Sequence, residues 1–423
     1  MSNVVPDGWI TGKLKEFALL TKGLTYASSD YSDEHNGLPF LTLKSISKDG
    51  GYSPKGLKFY KGEFKEHHVL NFGDVLFANT DLTRNGDVVG SPLFFDGFGF
   101  SDQTLYSMDL SKLKVDPSNT DAKFLYFLLM THRVKRWMVN SSAGSTVLHL
   151  DTKRVKEIIL NLPPLPEQKK IASILTSVDE VIENTQKQID KLQDLKKATM
   201  NELLTKGIGH TEFKDSELGR IPKSWEVYAL SEIGTFSKGR GISKKETLPE
   251  GVPCLRYAEI YTVYDFHIKT FKSFISPITA ESSRKLIKNE IIFAGSGETV
   301  EDIGKSVAFT LDCDAYVGGD SVVFSPRSGL DSIFLSYQLN DNIRRRMLRK
   351  LGQGSSVIHI YSSGLQEVLV SLPPLSEQEK IASILISMGE AIEEKLKESR
   401  KLQSLKKSLM QDLLTGKVRV TVN

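Results

Sequence analysis

The stretch LPPLPEQKKIASIL at Leu162–Leu175 returns almost unchanged as LPPLSEQEKIASIL at Leu372–Leu385. The similarity extends without a gap to either side, so that Phe124–Thr205 aligns with Phe334–Thr415. A repeat of about 210 residues is too long for a solenoid and indicates duplicated domains. The chain therefore consists of two copies of one unit, each with a similar part and a variable part.

Each similar part is predicted to form a long helix. Glu167–Lys206 and Glu377–Thr415 contain no proline, and only Gly389 interrupts them. Apolar and small residues recur at spacings of four and three, which is the period of a coiled-coil seam. The seam positions are Val178, Ile182, Thr185, Ile189, Leu192, Thr199 and Leu203 in the first helix, and Met388, Ile392, Ser399, Leu402, Leu409 and Leu413 in the second. Two matching seams predict an antiparallel pair within the chain, with pseudo-two-fold symmetry; two core helices or a dimerisation coil would give the same pattern.

Local signals mark where these helices begin and end. Pro166 suits the first helical position, where no N–H donor is needed. Ser376 followed by Glu379 predicts a capping box. Gly207 and Gly416 predict the C-terminal ends. At 1.5 Å per residue, each helix would form a rod of roughly 55 Å.

The variable parts are predicted to be mainly β. Short apolar runs such as VLFANT, EIIFAG and SVVFSP are separated by Gly, Asn and Asp, as in strands joined by turns. One helix is expected in each variable part, at Phe124–Val139 and Phe334–Leu351. The predicted fold class is α+β. Its boundaries are 1–160 and 210–370 for the two mainly-β domains, and 161–209 and 371–423 for the two long helices.

Composition places the chain among ordinary globular proteins. It has 423 residues and a net charge of +3, from 55 basic and 52 acidic residues. This weak positive charge permits DNA binding but does not argue for it. The two cysteines, Cys254 and Cys313, are expected in the core of a protein from a reducing compartment. No apolar run has the length of a signal peptide or a membrane span, which predicts a cytoplasmic location and no membrane partner.

Three motifs resemble catalytic sites without meeting their requirements. Asn161 begins NLPPLP, whereas an amino-group DNA methyltransferase needs Asn-Pro-Pro-aromatic. The segment GSGETVEDIGKS from Gly295 lacks a P-loop glycine, because Thr299 stands at the required position. The EHH segment at Glu66 does not have the spacing of a zinc site. We therefore expect no catalytic residue, no metal and no cofactor.

The repeated motifs carry a resemblance to a known family. Each variable domain is followed by LPPLxEQxKIAxIL, and each long helix closes on LKKxxMxxLLT, which begins at Leu195 and Leu405. This arrangement is similar to the specificity subunit of type I restriction–modification systems, and the resemblance covers the whole chain.

The resemblance implies a DNA-reading role. Each variable domain would be a target recognition domain for one half of a bipartite site in double-stranded DNA. The helices would set the spacing and dock two methyltransferase (M) subunits, and restriction (R) subunits would join that core. The chain itself would not be an enzyme. Two rival interpretations are a self-contained DNA methyltransferase and a coiled-coil adaptor.

Candidate DNA contacts are polar and basic residues in Gly-rich loops, which approach phosphates and base edges closely. The basic clusters HRVKR at His132 and RRRMLRK at Arg344 add candidate phosphate contacts, and a solvated helix face would give the same clusters. The equivalent His149 and His359 are interpreted as structural histidines instead. In the first unit the candidates are Lys22, Lys44, Asn79, Thr80, Arg84, Ser142, Ser145 and Thr146. In the second they are Lys238, Arg240, Arg256, Tyr257, Ser296, Glu298, Lys305, Arg344, Arg345, Arg349, Gln353, Ser355 and Ser356.

Overall fold

A computed structural model describes residues 5–83, 85–100, 103–354 and 357–422. The chain divides into two compact units. Unit 1 combines Met1–Gln186 with Lys397–Asn423, and unit 2 is Lys187–Leu396. Both long helices, Leu165–Lys206 and Leu375–Leu413, therefore contribute one part to each unit.

The two long helices run antiparallel within each unit. In unit 1, Glu167 binds Arg419, and further along the same helix Asp179 binds Lys406 at 2.6 Å. As residue numbers increase along the first helix, the residue numbers of its partners therefore decrease. In unit 2, Leu204 near the end of the first helix shares a core with Ile381 near the start of the second. The predicted antiparallel pairing is confirmed.

The predicted seam is also confirmed. Every seam position named from the sequence is buried or half-buried, as are Lys196 and Lys406. Leu195 and Leu405, one position before these lysines, are exposed. The heptad pattern therefore identified the buried face of both helices correctly.

The helix starts differ from the prediction. Both helices begin two residues earlier, at Leu165 and Leu375. The carbonyl oxygens of Pro164 and Pro374 accept the first backbone hydrogen bonds, including that of Glu377 at 2.9 Å. The predicted Ser376–Glu379 capping box is therefore wrong, because Ser376 already lies inside the helix. Gly207 follows the first helix at φ +67° and ends it as predicted.

The repeated Glu-Gln pair explains why the helix starts are so similar. The buried Gln168 side chain accepts a hydrogen bond from the Asp121 N–H and donates to the Asn119 and Pro163 carbonyls, all at 2.9–3.0 Å. Gln378 repeats this, binding the Asp331 N–H and the Pro373 carbonyl at 2.9 Å. Each glutamine therefore binds its long helix to the N-terminal end of a helix in the preceding domain, Ala122–Leu129 or Ser332–Leu339.

The glutamates of the same motif fasten a different segment. Arg419 binds the buried Glu167 carboxylate through two hydrogen bonds of 2.8 Å. Glu377 binds His210 Nε2 at 2.8 Å and Trp225 Nε1 at 3.3 Å. Each glutamate thereby binds the segment that follows the other long helix in the sequence.

Unit 1 contains two four-stranded sheets. The antiparallel sheet has the order Ala18–Lys22, Leu110–Val115, Val75–Ala78, Pro92–Phe94. The mixed sheet has the order Tyr31–Ser32, Leu57–Tyr60, Leu38–Leu41, Leu105–Tyr106, with the last pair parallel. Smaller sheets are Ser142–Ala143 with Leu148–Leu150 and Thr80–Asp81, and Ile10–Lys13 with Ile159–Leu162. The prediction of a mainly-β domain is confirmed.

Unit 2 repeats the antiparallel sheet, whereas its mixed sheet carries the fourth strand at the opposite edge. Its antiparallel sheet has the order Gly234–Lys238, Ser321–Pro326, Glu290–Ala294, Ser306–Phe309. Its mixed sheet has the order Ser273–Ile275, Val252–Leu255, Tyr316–Val317, Arg284–Lys285. The strand pairs are Ser296–Gly297 with Ile358–His359, Glu226–Ala229 with Leu369–Leu372, and Phe213–Ser216 with Gly219–Pro222.

Short helices complete both units. Unit 1 has α-helices Leu14–Phe17, Ala122–Leu129, His132–Asn140 and Thr152–Val155, and 3-10 turns Ser28–Asp30, Leu43–Ser45, Pro54–Gly56 and Glu66–His68. Unit 2 has α-helices Leu230–Ile233, Tyr257–Thr262, Pro277–Ser282, Ser332–Leu339, Asn342–Lys350 and Ser362–Leu365, and the 3-10 turn Lys244–Glu246.

Each single helix predicted before the Gly-Ser loop is in fact two helices. In unit 2, Asp341 adopts an extended backbone (ψ 166°) between Ser332–Leu339 and Asn342–Lys350, and its side chain accepts from the Arg344 N–H. Thr131 holds the corresponding extended position in unit 1. An N-cap residue inside the predicted helix therefore starts a second one. Cys254 is buried as predicted, whereas Cys313 is exposed, so its predicted place in the core is wrong.

Candidate nucleic-acid interface

An equivalent strand pair follows the antiparallel sheet strand that ends at Ala78 in unit 1 and at Ala294 in unit 2. In unit 1, Thr80 pairs with His149, and in unit 2, Ser296 pairs with His359. The first strand of each pair leads into a loop that we call the exit loop, comprising the described residues 82, 83 and 85–90 in unit 1 and 298–304 in unit 2. The second strand belongs to a glycine-containing hairpin, residues 142–150 in unit 1 and the described residues 353, 354 and 357–360 in unit 2. The pairing brings loop and hairpin together in both units.

Glycine is required at the turn of each hairpin. Gly144 has φ +136°, and a Cβ added there would lie 1.9 Å from the Val147 carbonyl oxygen. Gly354 has φ +124°, with the Val357 carbonyl at 2.2 Å from such a Cβ. Larger residues are therefore excluded at both hairpin turns.

Asp81 organises the exit loop of unit 1. Its buried carboxylate accepts from the Thr83 N–H and Oγ1, both at 2.7 Å, and from the Val89 N–H at 2.8 Å. Burial acts to raise the pKa of Asp81, but these hydrogen bonds outweigh it and lower the pKa. Gly297 occupies the corresponding strand position in unit 2, so the two exit loops are built differently.

A helix cation contacts each exit loop. Lys135 Nζ donates to the carbonyls of Asp87 and Val89 and to Ser91 Oγ, at 2.7–2.9 Å. Arg345 donates to the carbonyls of Ile303 and Glu301. Burial lowers the pKa of Lys135 to about 8 and that of Arg345 to about 10. The sequence predicted Arg345 as a DNA contact, and it placed Lys135 within the basic cluster HRVKR without naming it individually.

Arg344 lies in the core of unit 2 rather than on its surface. Only 1% of the residue is exposed. Its guanidinium binds the Asp341 carboxylate at 2.6 Å and Ser371 Oγ at 3.1 Å. The side chain has no surface to offer a phosphate, so the predicted DNA contact at Arg344 is replaced by a structural role. Arg349, on the same helix, is exposed.

The remaining candidates within the described residues fall into three classes by exposure. Exposed residues are Lys22, Lys44, Ser145, Thr146, Lys238, Arg240, Glu298 and Gln353. Half-buried residues are Ser142, Arg256, Tyr257 and Lys305. Buried residues are Asn79, Thr80 and Ser296. Arg84, Ser355 and Ser356 lie outside the described residues.

The buried candidates hold the loops in place. Asn79 Nδ2 donates to the Met108 carbonyl at 3.2 Å, and Thr80 Oγ1 donates to the Asp109 carboxylate at 3.1 Å. Ser296 Oγ lies 2.8 Å from His359 Nδ1. His359 thus has the structural role predicted for it. His149 is exposed instead, so a structural role for it is not supported.

The half-buried candidates of unit 2 meet near its exit loop. Arg256 and Tyr257 begin the helix Tyr257–Thr262, which packs on the strand Ser296–Gly297. Arg256 lies 3.5 Å from the Glu259 carboxylate. Lys305, at the end of the loop, donates to the Tyr264 carbonyl at 2.7 Å. The helix therefore adds aromatic and cationic groups beside the loop.

Among the described residues, no group of His, Cys, Asp or Glu is placed to hold a metal ion. Within the same residues, the helices include none long and apolar enough to cross a bilayer.

Comparison with known proteins places the chain in a family. Residues 6–194 and 222–401 match the family model described as type I restriction modification DNA specificity domain. The chain is 29% identical over 428 residues to the type I restriction enzyme MjaVIII specificity subunit of Methanocaldococcus jannaschii, covering 98% of this chain and 94% of that protein. It is 28% identical to the putative MjaX specificity subunit of the same organism, covering 98% and 95%.

A solved structure shares the fold. The type I restriction–modification S subunit of M. genitalium superposes with a TM-score of 0.58 at 16% identity, covering 96% of both chains. The two matched regions carry the two loop-and-hairpin sites, and together they span most of the sequence. The chain therefore belongs to the family of type I restriction–modification DNA specificity proteins.

Proposed function

We propose that this chain reads a bipartite sequence in double-stranded DNA, with one half-site read by unit 1 and the other by unit 2. The observation that carries this proposal is the recurrence of one loop-and-hairpin site on two matching folds with different side chains. Thr80 and Asp81 of unit 1 correspond to Ser296 and Gly297 of unit 2. Different side chains on one scaffold suit different target bases.

Arg256 is our strongest candidate for a base contact in unit 2. It directly follows a strand paired in parallel with Tyr316–Val317, and Thr42 follows the equivalent strand of unit 1. Its guanidinium is half-buried and bound to Glu259, which restricts its orientation. A fixed guanidinium is suited to the paired acceptors of guanine.

Domain roles follow from the same scheme. We propose that residues 1–160 and 210–370 are the target recognition domains, and that the helices of 161–209 and 371–423 set the spacing between half-sites. Exposed Arg349 and the other surface cations would bind phosphates without selecting a sequence.

Specificity subunits of type I systems function with methyltransferase and restriction subunits and DNA. We propose that two methyltransferase subunits dock on the paired helices, whose repeated sequence offers two similar surfaces. Restriction subunits would join through that core. The methyl transfer and DNA cleavage would be carried out by these partners. A DNA-reading role also supports the cytoplasmic location expected from the sequence.

The test is a selection from randomised duplexes with the full chain bound to its methyltransferase partner. We expect enrichment of a split motif with a gap of constant length. Enrichment of no motif would support a coiled-coil adaptor and refute the proposal. In a parallel assay, methyl transfer by the purified chain alone would instead identify a self-contained methyltransferase.

A further inference from the structure

We propose that Lys135 and Arg345 are positioning residues, each of which fixes the exit loop of its own unit and so sets how strictly that unit reads its half-site. The proposal rests on the DNA-reading function proposed above. It assigns to these cations a role in holding the loop rather than in contacting DNA.

The two cations bind equivalent carbonyl oxygens. Each exit loop ends at a glycine that binds the sheet. The Gly90 N–H donates to the Ala78 carbonyl oxygen at 2.8 Å, and the Gly304 N–H donates to the Ala294 carbonyl oxygen at 3.0 Å. Counting back from that glycine, Lys135 binds the carbonyls one and three positions earlier. Arg345 binds the carbonyls at the same two positions in unit 2. The same contacts thus occur in two loops of different sequence.

The ends of the exit loops are also packed alike. Gly90 has φ +74°, and a Cβ added there would lie 2.4 Å from Met138 Cβ. Gly304 has φ +68° and faces Leu348 Cβ at 3.2 Å from such an added Cβ. Met138 and Leu348 are equivalent in the sequence repeat and lie one helical turn after the cations. The helix therefore presents a packing residue and a cation to each loop.

The hydrogen bonds of Lys135 within unit 1 leave it no N–H donor for a DNA phosphate. A lysine ammonium has three N–H donors. Its three acceptors are the Asp87 and Val89 carbonyls and Ser91 Oγ, so every donor is used within unit 1. A phosphate contact would require one of these bonds to break. The geometry therefore favours a loop-holding role over direct binding.

Holding the loop matters because reading bases requires fixed atoms. Among the described residues of the exit loops, no backbone N–H donates to these carbonyls. The bound cation satisfies them instead, which favours one loop conformation over the others. Without the cation, the loop would sample several conformations and accept more than one base. Discrimination should fall in the affected half-site only.

The experiment compares Lys135→Met, Arg345→Met and the conservative Lys135→Arg and Arg345→Lys in the full chain with its methyltransferase partner. Duplex selection and salt titration are the assays. Lys135→Met should reduce discrimination in the first half-site by about 5- to 150-fold, the range for losing one good base contact, and spare the second. Arg345→Met should reduce discrimination in the second half-site and spare the first. The conservative variants should retain both half-sites.

The salt dependence separates holding from contacting. Since neither cation binds phosphate in this proposal, the slope of log affinity against log salt should not change. A slope reduced by about 0.9, with equal weakening on all sequences, would show a direct phosphate contact and overturn the proposal. Unchanged discrimination in both half-sites would overturn it as well. If the unsubstituted chain selects no motif, the proposed function fails instead.

Hydrogen exchange of the unliganded chain tests the loop directly. Lys135→Met should speed exchange of the Val88 and Val89 amides, which bind Asp81 in the native loop. The amides of the central strand Val75–Ala78 should keep their protection. If those strand amides also exchange faster, Lys135 supports the whole fold, and a specific role in the loop is refuted.

Discussion

Replacing Arg344 with alanine should destabilise unit 2 without altering its phosphate contacts. The guanidinium lies in the core, where it binds the Asp341 carboxylate at 2.6 Å and Ser371 Oγ at 3.1 Å. The Asp341 side chain is itself only 10% exposed. Truncation would leave this carboxylate buried without its cation.

The size of the effect follows from that burial. Removing one partner of a buried ion pair typically lowers stability by about 3–5 kcal/mol, because the remaining charge is left uncompensated. The alanine also leaves a cavity at this buried position, which adds to the loss. Converting both partners, as in Arg344→Met with Asp341→Asn, should restore part of the stability because no unpaired charge remains.

Denaturant unfolding measures this effect for unit 2 alone. Trp225 is fully buried there, so its fluorescence reports unit 2 once Trp9 and Trp137 are replaced by phenylalanine. Arg349→Ala is the matched control, since this arginine is exposed on the same helix. The control should keep its stability and lower the salt slope of DNA binding by about 0.9. If Arg344→Ala keeps the unfolding free energy of the unsubstituted chain and lowers the salt slope of DNA binding, the structural role of Arg344 is refuted.

Three further predictions concern other sites. Gln168→Ala should lower the free energy of unfolding of unit 1, by about 1–3 kcal/mol for each buried group left unpaired, and Gln378→Ala should do the same in unit 2; denaturant titration would show either. Because the pKa of Lys135 is lowered from 10.5 to about 8, the native state loses this proton first, so the stability of unit 1 should rise between pH 8 and 10.5. Lys135→Met should remove that rise in stability. If the variant and the unsubstituted chain show the same dependence of unfolding free energy on pH, the lowered pKa of Lys135 is contradicted. Arg256→Ala should reduce discrimination at one base pair of the second half-site by about 1–3 kcal/mol. Equal weakening of binding to cognate and mismatched duplexes would show that Arg256 does not read a base.

The repeat was the most informative feature of the sequence. It predicted the long helices, their seam and their antiparallel pairing, because helical periodicity depends on local spacing alone. The helix starts were missed by two residues, since the Pro164 and Pro374 carbonyls begin the hydrogen bonding. The break at Asp341 was missed because an apolar pattern continues through it.

Site residues were harder to predict, because burial depends on tertiary contacts. Arg344 was grouped with its charged neighbours, yet the repeat aligns it with Val134, a core residue. That alignment was a usable signal for burial. Lys135 and Arg345 align with each other, so a shared charge at one position marked both. Nothing in the sequence revealed which carbonyls they bind, since those lie about 45 residues away in the chain and meet them only through folding.

The composition of unit 1 has a consequence for synthesis on the ribosome. Leu413 and Leu414 complete its core, and Arg419 pairs with Glu167. These residues are translated only after the whole of Lys187–Leu396, which at 5–20 residues per second is a delay of about 10–40 s. Unit 2 is continuous and has all its residues before then. The unit that begins translation first is therefore the last to finish folding, and the nascent chain exposes an unfinished apolar surface that chaperones would bind in the interval.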